Sequence, residues 1–203
     1  IGNMGGFDYM EFIIPGLIMM AVIQNSYSNV VSSFFSHKFQ RSVEEVLVSP
    51  VPNAILLGGF IVGGMVRGLL VGAIVTVMAL IFVDLQIQHP IITITVILLT
   101  AVVFSLAGFI NALFANSFDD ISIIPTFVLT PLIYLGGVFY SSSLLPPFWQ
   151  SVSALNPIFY MVNSFRYGFL GVSDVSVGPA FVILTLFGVV LFSVCLVLLN
   201  RGT

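Results

Sequence analysis

The chain has 203 residues, of which 59% are apolar and only 6% charged, with a net charge of −3. Soluble domains carry about a quarter charged residues, so this composition excludes a soluble globular domain. It also gives no basic stripe for nucleic acid, no disulfide framework from the one cysteine, Cys195, and no His/Cys/Asp/Glu cluster at metal-ligand spacing.

Runs free of Asp, Glu, Lys and Arg cover 12–36, 46–66, 68–83, 90–118, 121–165 and 175–200. A helix needs about 20 apolar residues to cross the hydrocarbon core. The pattern predicts an all-α integral membrane protein, a single transmembrane domain over 1–203. Its five spans are placed near 12–35, 53–83, 90–114, 121–139 and 178–199. Residues 1–11 hold no charged stretch followed by an apolar core, so no signal peptide is visible.

Between the first two spans lies a short polar connector. Phe39, Val43, Val46 and Leu47 recur at helical spacing, and Arg41 and Glu45 are placed for an i, i+4 pair. Pro50 and Pro52 end the pattern. This predicts an amphipathic helix over 38–48. Two readings stand: a connector lying on the membrane surface, or a helix that docks a soluble partner through Lys38, Phe39, Arg41, Glu44, Glu45, Val46 and Leu47. Three of the five Lys and Arg residues lie in this connector or after the last span. That side is therefore read as cytoplasmic, with the C-terminus inside. The start of the first span then faces outside, which predicts a preceding helix and a six-span parent.

The second span carries Arg67, a charge well inside an apolar run. It faces a partner, a cavity or a route, or it snorkels to the interface. The same span carries Gly59/Gly63 and Gly64/Gly68/Gly72 at four-residue spacing, which permits close helix approach. Packing within the subunit is read ahead of a seam between copies. Asn111, Asn116, Thr126 and Thr130 are read as interhelical hydrogen bonds ahead of cargo contacts.

After the fourth span, residues 144–171 are too apolar for a solvated loop and are broken by Pro146, Pro147 and Pro157. They predict short helices that enter the outer leaflet and return, which requires burial in protein or a cavity. The other reading is an interfacial belt carrying Trp149, Tyr160 and Tyr167.

No G-x-x-x-x-G-K-[ST] nucleotide loop is present. Two rival functions remain. An ion-coupled secondary transporter would carry inverted repeats and paired midplane charges, and the sequence has no evident repeat and no acid opposed to Arg67. A non-transporting scaffold subunit is the other.

The segments Phe12-Ile13-Ile14-Pro15-Gly16, Arg41-Ser42-Val43-Glu44-Glu45-Val46-Leu47-Val48-Ser49-Pro50-Val51 and Pro131-Leu132-Ile133-Tyr134-Leu135-Gly136-Gly137-Val138-Phe139 stand in order. Leu145-Pro146, Leu155-Asn156-Pro157 and Arg166 follow them. In order and spacing the chain resembles the ABC-2 type permeases, the membrane subunits of bacterial ATP-binding-cassette exporters. The resemblance implies six spans, of which five are visible, and a homodimer in the bacterial inner membrane. It implies two ATPase subunits docked on a coupling helix over 38–48, and re-entrant helices on the outer side. It implies no enzyme activity and no cofactor in this chain, since ATP and Mg²⁺ would sit in the partner. Arg67, Asn111, Thr130 and Tyr134 become candidates for the translocation path or for helix packing. Motion of the docked helix would then move the first two spans as levers.

Overall fold

The computed structural model describes residues 6–40 and 51–201, and among them the ordered elements are helical. The first is α1 (Tyr9–Phe39), followed by α2 (Asn53–Ala79) and α3 (Pro90–Phe114). A composite helix comes next: α4 (Asp120–Ile124), a π turn over Pro125–Leu129, and α5 (Thr130–Leu135). A 3₁₀ turn at Ser142–Leu144 leads to α6 (Pro147–Ala154), α7 (Pro157–Leu170) and α8 (Val177–Asn200).

Four of these, α1, α2, α3 and α8, are long and apolar enough to cross a membrane. The predicted span over 121–139 takes a different form. Its three segments hold five, five and six residues, short of the roughly 20 that a straight span needs. The predicted span over 53–83 also ends early, because residues after Ala79 unwind into turns closed by Phe82 N–H and Val83 N–H on the Ala79 carbonyl. Arg41, Glu44, Glu45, Val46 and Leu47 lie outside the described residues, so most of the predicted 38–48 helix does too.

Local chemistry explains the boundaries. Proline sits at the first turn of α3, α6 and α7, where its missing N–H costs nothing. Asn156 caps α7, its side-chain oxygen accepting from Ile158 N–H at 3.0 Å. Gly171 ends the same helix in the left-handed region, with φ +71°, the usual C-terminal stop.

Apolar burial does not drive helices together in lipid; close packing does. Here glycine supplies it. A Cβ on Gly64 would stand 2.6 Å from Val30 Cγ2, one on Gly72 2.6 Å from Val22 Cγ2, and one on Gly108 2.6 Å from the Tyr27 carbonyl oxygen. Gly64, Gly68 and Gly72 therefore seat α2 against α1, and Gly108 seats α3 against α1. Nothing lies within 4 Å of Gly59. The glycine ladder thus divides into an inward row and an open row.

Contacts define two ends of the bundle. At one end, Lys38 Nζ reaches the carbonyls of Leu113 and Ala115, and the Asn53 side-chain amide donates to Asn200 Oδ1 at 2.8 Å. At the other, the Tyr9 hydroxyl donates to the Phe139 carbonyl at 3.4 Å, and His89 N–H donates to the Gly168 carbonyl at 2.9 Å. The composite helix runs from the Lys38 end to the Tyr9 end. Helices α6 and α7 stay at the Tyr9 end: Asn156 donates to the Leu132 carbonyl at 2.6 Å, and Tyr167 stacks on His89.

Candidate functional site

α1 is an apolar helix interrupted by a polar face. Gln24, Asn25, Ser28, Asn29, Ser32 and Ser33 come in one run, and the three- and four-residue steps from Asn25 to Ser28 to Ser32 put them on one side. Ser28 and Ser32 are exposed, while the apolar residues between them, such as Val30 and Val31, are buried. Asn25 Nδ2 donates to the Ala21 carbonyl at 2.9 Å and Ser32 Oγ to the Ser28 carbonyl at 2.8 Å. Such bonds back to the helix satisfy the donors and leave the hydroxyl lone pairs outward.

Across from this face stands the start of the composite helix. Tyr27, Ser28, Val31 and Ser32 of α1, with Ile121, Ser122, Pro125 and Thr126, line a groove of about 260 Å³. Ser122 and Thr126 are one helical turn apart and both are exposed. The Tyr27 hydroxyl is buried beside Asn111 and has no hydrogen bond of good geometry. The groove is therefore hydroxyl-lined and uncharged among the described residues. Its composite wall contains the π turn, an interruption of the regular ladder that occurs often at functional sites.

The sequence candidates fall in different places. Asn111 Nδ2 donates to the Ile121 carbonyl at 3.3 Å, joining α3 to the composite helix. Thr130 Oγ1 donates to the Pro125 carbonyl at 2.8 Å and closes the π turn. Asn116 N–H donates to Asp120 Oδ2 at 2.9 Å. Tyr134 is half exposed and stacks on Phe139 at 5.4 Å. Arg67 is exposed on the outer face of α2, between Val66 and Leu70. None of Arg67, Asn111, Thr130 and Tyr134 is among the groove's lining residues.

Lys38, placed by its sequence context among the docking residues, is tied into the bundle. Its ammonium turns inward and donates to the carbonyls of Leu113 at 2.7 Å and Ala115 at 2.8 Å. A cation fits there because the last turn of α3 leaves carbonyls unpaired and carries partial negative charge. Phe39, the next residue, is 66% exposed and packs on Phe118, itself 53% exposed, at 5.2 Å.

Three features escaped the sequence reading. The first is the polar face of α1, legible from its spacing. The second is the capping box Ser117-Phe118-Asp119-Asp120: Asp120 N–H donates to Ser117 Oγ at 3.2 Å, and Ser117 N–H donates to Asp120 Oδ2 at 3.0 Å. The third is the position of Arg166, which is 1% exposed. Its Nη2 donates to the Gly137 carbonyl at 2.7 Å and its Nε to the Phe12 carbonyl at 3.3 Å, while the guanidinium lies 3.9 Å from the Phe12 ring centre.

The family model for the ABC-2 type transporter matches residues 2–170 of this chain. The chain is 56% identical over 202 residues to the inner membrane transport permease YadH of Escherichia coli strain K12, covering 100% of this chain and 79% of that protein. The YadH of Shigella flexneri gives the same figures. Nodulation protein J of Rhizobium meliloti strain 1021 is 24% identical over 202 residues, covering 99% of this chain and 77% of that protein.

Proposed function

This chain belongs to the ABC-2 type transporter family, and from that premise we propose that it forms the export path of an ATP-driven exporter, as two copies served by two separate ATPase subunits. Family membership makes it the membrane subunit of an ABC transporter in the inner membrane, crossed more than once, and not itself the catalytic subunit. The finer reading is ours. The chain crosses five times, through α1, α2, α3, the composite helix and α8, with its C-terminus in the cytoplasm. Residues 144–171 form the outer hairpin.

The observation that carries the reading is the groove. A hydroxyl-lined, uncharged cleft in an otherwise apolar bundle suits passage of polar groups through the bilayer, because it replaces their water without fixing a charge. The composite wall supplies the movable side. On the cytoplasmic face, Phe39, Arg41, Glu44, Glu45, Val46 and Leu47 dock the ATPase. Asn111 and Thr130 hold the wall in register. The burial of α7 suits an outer hairpin embedded in protein, and the outward Phe148 and Trp149 of α6 suit a belt at the interface.

The test is affinity purification of the full-length permease in mild detergent, followed by ATPase assay in vesicles. An ATPase subunit should accompany it, and Glu44→Lys with Glu45→Lys should weaken that association and the stimulated hydrolysis. Unchanged association and hydrolysis in the double reversal would remove the docking site. Transport driven by a proton or sodium gradient without ATP would replace the exporter reading with a secondary transporter.

A further inference from the structure

We infer that Lys38 with the Phe39–Phe118 pair is a mechanical junction that carries force applied at the Lys38 end of α1 into the composite helix, Lys38 acting as its positioning residue. The inference rests on the exporter reading, and it changes where the force goes: into the groove's movable wall rather than into α1 and α2 as levers.

The last turn of α1 is fixed to a remote segment. Lys38 is in the last turn of α1, yet both of its carbonyl partners lie at the end of α3, 75 and 77 residues further along the chain. Charge-assisted bonds of this length are strong and directional. The adjoining rings extend the contact, with Phe35 on Phe118 at 4.9 Å and Phe39 on Phe118 at 5.2 Å. Phe118 lies inside the Ser117–Asp120 capping box, so the corner that holds it also sets the direction of α4.

Beyond the junction the first compliant element is the π turn. Pro125 opens it, Pro131 follows it, and both lack the N–H that a regular helix would use. Thr126, in the groove wall, lies within that turn. A displacement delivered at Lys38 passes rigidly through the corner and is absorbed at 125–129. The groove therefore changes width where Thr126 faces Ser28 and Ser32.

The experiment uses the full-length permease with its ATPase in nanodiscs, carrying Cys195→Ala and Thr126→Cys. The reading is the rate of modification at residue 126 by a membrane-impermeant maleimide, with and without ATP and vanadate. With Lys38 present the rate should change at least about fivefold on trapping, the low end for coupled sites. Lys38→Met should keep the same amount of ATPase per permease and hold the change below about twofold, and Lys38→Arg should restore most of it, since a guanidinium can also reach two carbonyls. Phe118→Ala, at a half-exposed position, should reduce the response without loss of fold, and it decides the matter if the Lys38→Met permease itself does not fold.

An undiminished response in Lys38→Met, or in Phe118→Ala when that variant alone folds, overturns the junction and leaves the exporter intact. So does loss of the ATPase from Lys38→Met, which would make Lys38 a docking contact. Absence of any ATPase from the complex with Lys38 in place removes the exporter reading itself, and the junction with it.

Discussion

Replacing Arg166 tests whether a buried cation holds the Tyr9 end together through geometry or through charge alone. The guanidinium makes a short bond to the Gly137 carbonyl at 2.7 Å, a longer one to the Phe12 carbonyl at 3.3 Å, and a ring contact at 3.9 Å. A hydrogen bond from a charged donor is worth about 1.5–3 kcal/mol, and a desolvated cation–π contact about 2 kcal/mol. Against these stands Nη1, buried without a partner, a cost of about 1–3 kcal/mol. The Phe12 carbonyl belongs to α1 and stays inside the helix, but Gly137, at φ +74° in the turn after α5, loses a partner. We expect Arg166→Met to destabilise by about 2–4 kcal/mol, which lowers the unfolding midpoint by roughly 5–15 °C in a chain of this size. The assay is thermal unfolding of the full-length permease in detergent, followed by fluorescence of Trp149 on nearby α6. Arg166→Lys is the decisive variant. An ammonium keeps the charge but cannot lie flat on Phe12 while bonding two separate carbonyls, so it should melt close to Arg166→Met. A midpoint for Arg166→Lys within about 2 °C of the unaltered protein, under 1 kcal/mol, would refute the clamp.

Gly108→Ala should cost about 1–3 kcal/mol by overpacking, because its Cβ would meet the Tyr27 backbone oxygen rather than a movable side-chain end; an unchanged melting midpoint would contradict the close α1–α3 seat. Gly59→Ala, with nothing nearby, should be neutral or stabilising by up to about 1 kcal/mol, and a fall in the proposed self-association on size exclusion would instead put this row in a seam between copies. Tyr27→Phe removes a buried hydroxyl that has no hydrogen bond of good geometry, so thermal stability should hold or rise by about 1 kcal/mol; a drop in the melting midpoint would mean that the hydroxyl is bonded. Arg67→Leu should ease membrane insertion by about 2.5–3.5 kcal/mol on the translocon scale if Arg67 faces lipid; unchanged insertion with impaired export would mean that it faces water or a partner.

The long helices could be read from sequence because lipid imposes a simple rule, a run of about 20 apolar residues for each span. The composite helix satisfied the same composition over 121–139 but not the same geometry. Thr130 accounts for part of this: its hydroxyl bonds five residues back, to Pro125, and no hydropathy pattern carries that choice. The Lys38 and Arg166 contacts were hidden for another reason. Their partners lie outside their own helices, 75 and 77 residues along the chain for Lys38 and 29 and 154 residues away for Arg166, so local context suggested solvent for one and only a motif for the other. The polar face of α1 and the Ser117–Asp120 capping box are different, because both are local patterns at helical spacing and could have been found. The glycine ladder was legible as a packing device, but its division into inward and open rows depends on where α1 lies.

A polar face on a membrane helix is weak evidence by itself, because Ser and Asn can satisfy their donors on their own backbone at little cost, as Asn25 and Ser32 do. Its meaning here comes from the contrast with the outer helices. The exposed faces of α2 and α8 are mostly apolar, carrying Ile55, Val62, Leu70, Ile74, Val182, Leu186 and Val189 beside the scattered Arg67, Thr185 and Ser193, the composition that lipid demands. The exposed face of α1 instead carries Ser28 and Ser32, and the wall across from it answers with Ser122 and Thr126. Two helices from distant parts of the chain thus place hydroxyls at the same groove, and one of them carries a π turn at that depth. Ser122 also returns its donor to its own helix, at the Phe118 carbonyl 3.3 Å away, so self-satisfaction accounts for tolerance of polar groups on both helices but not for their meeting at one groove. The proposed path for polar cargo gives the α1 row and the composite-helix row a single cause.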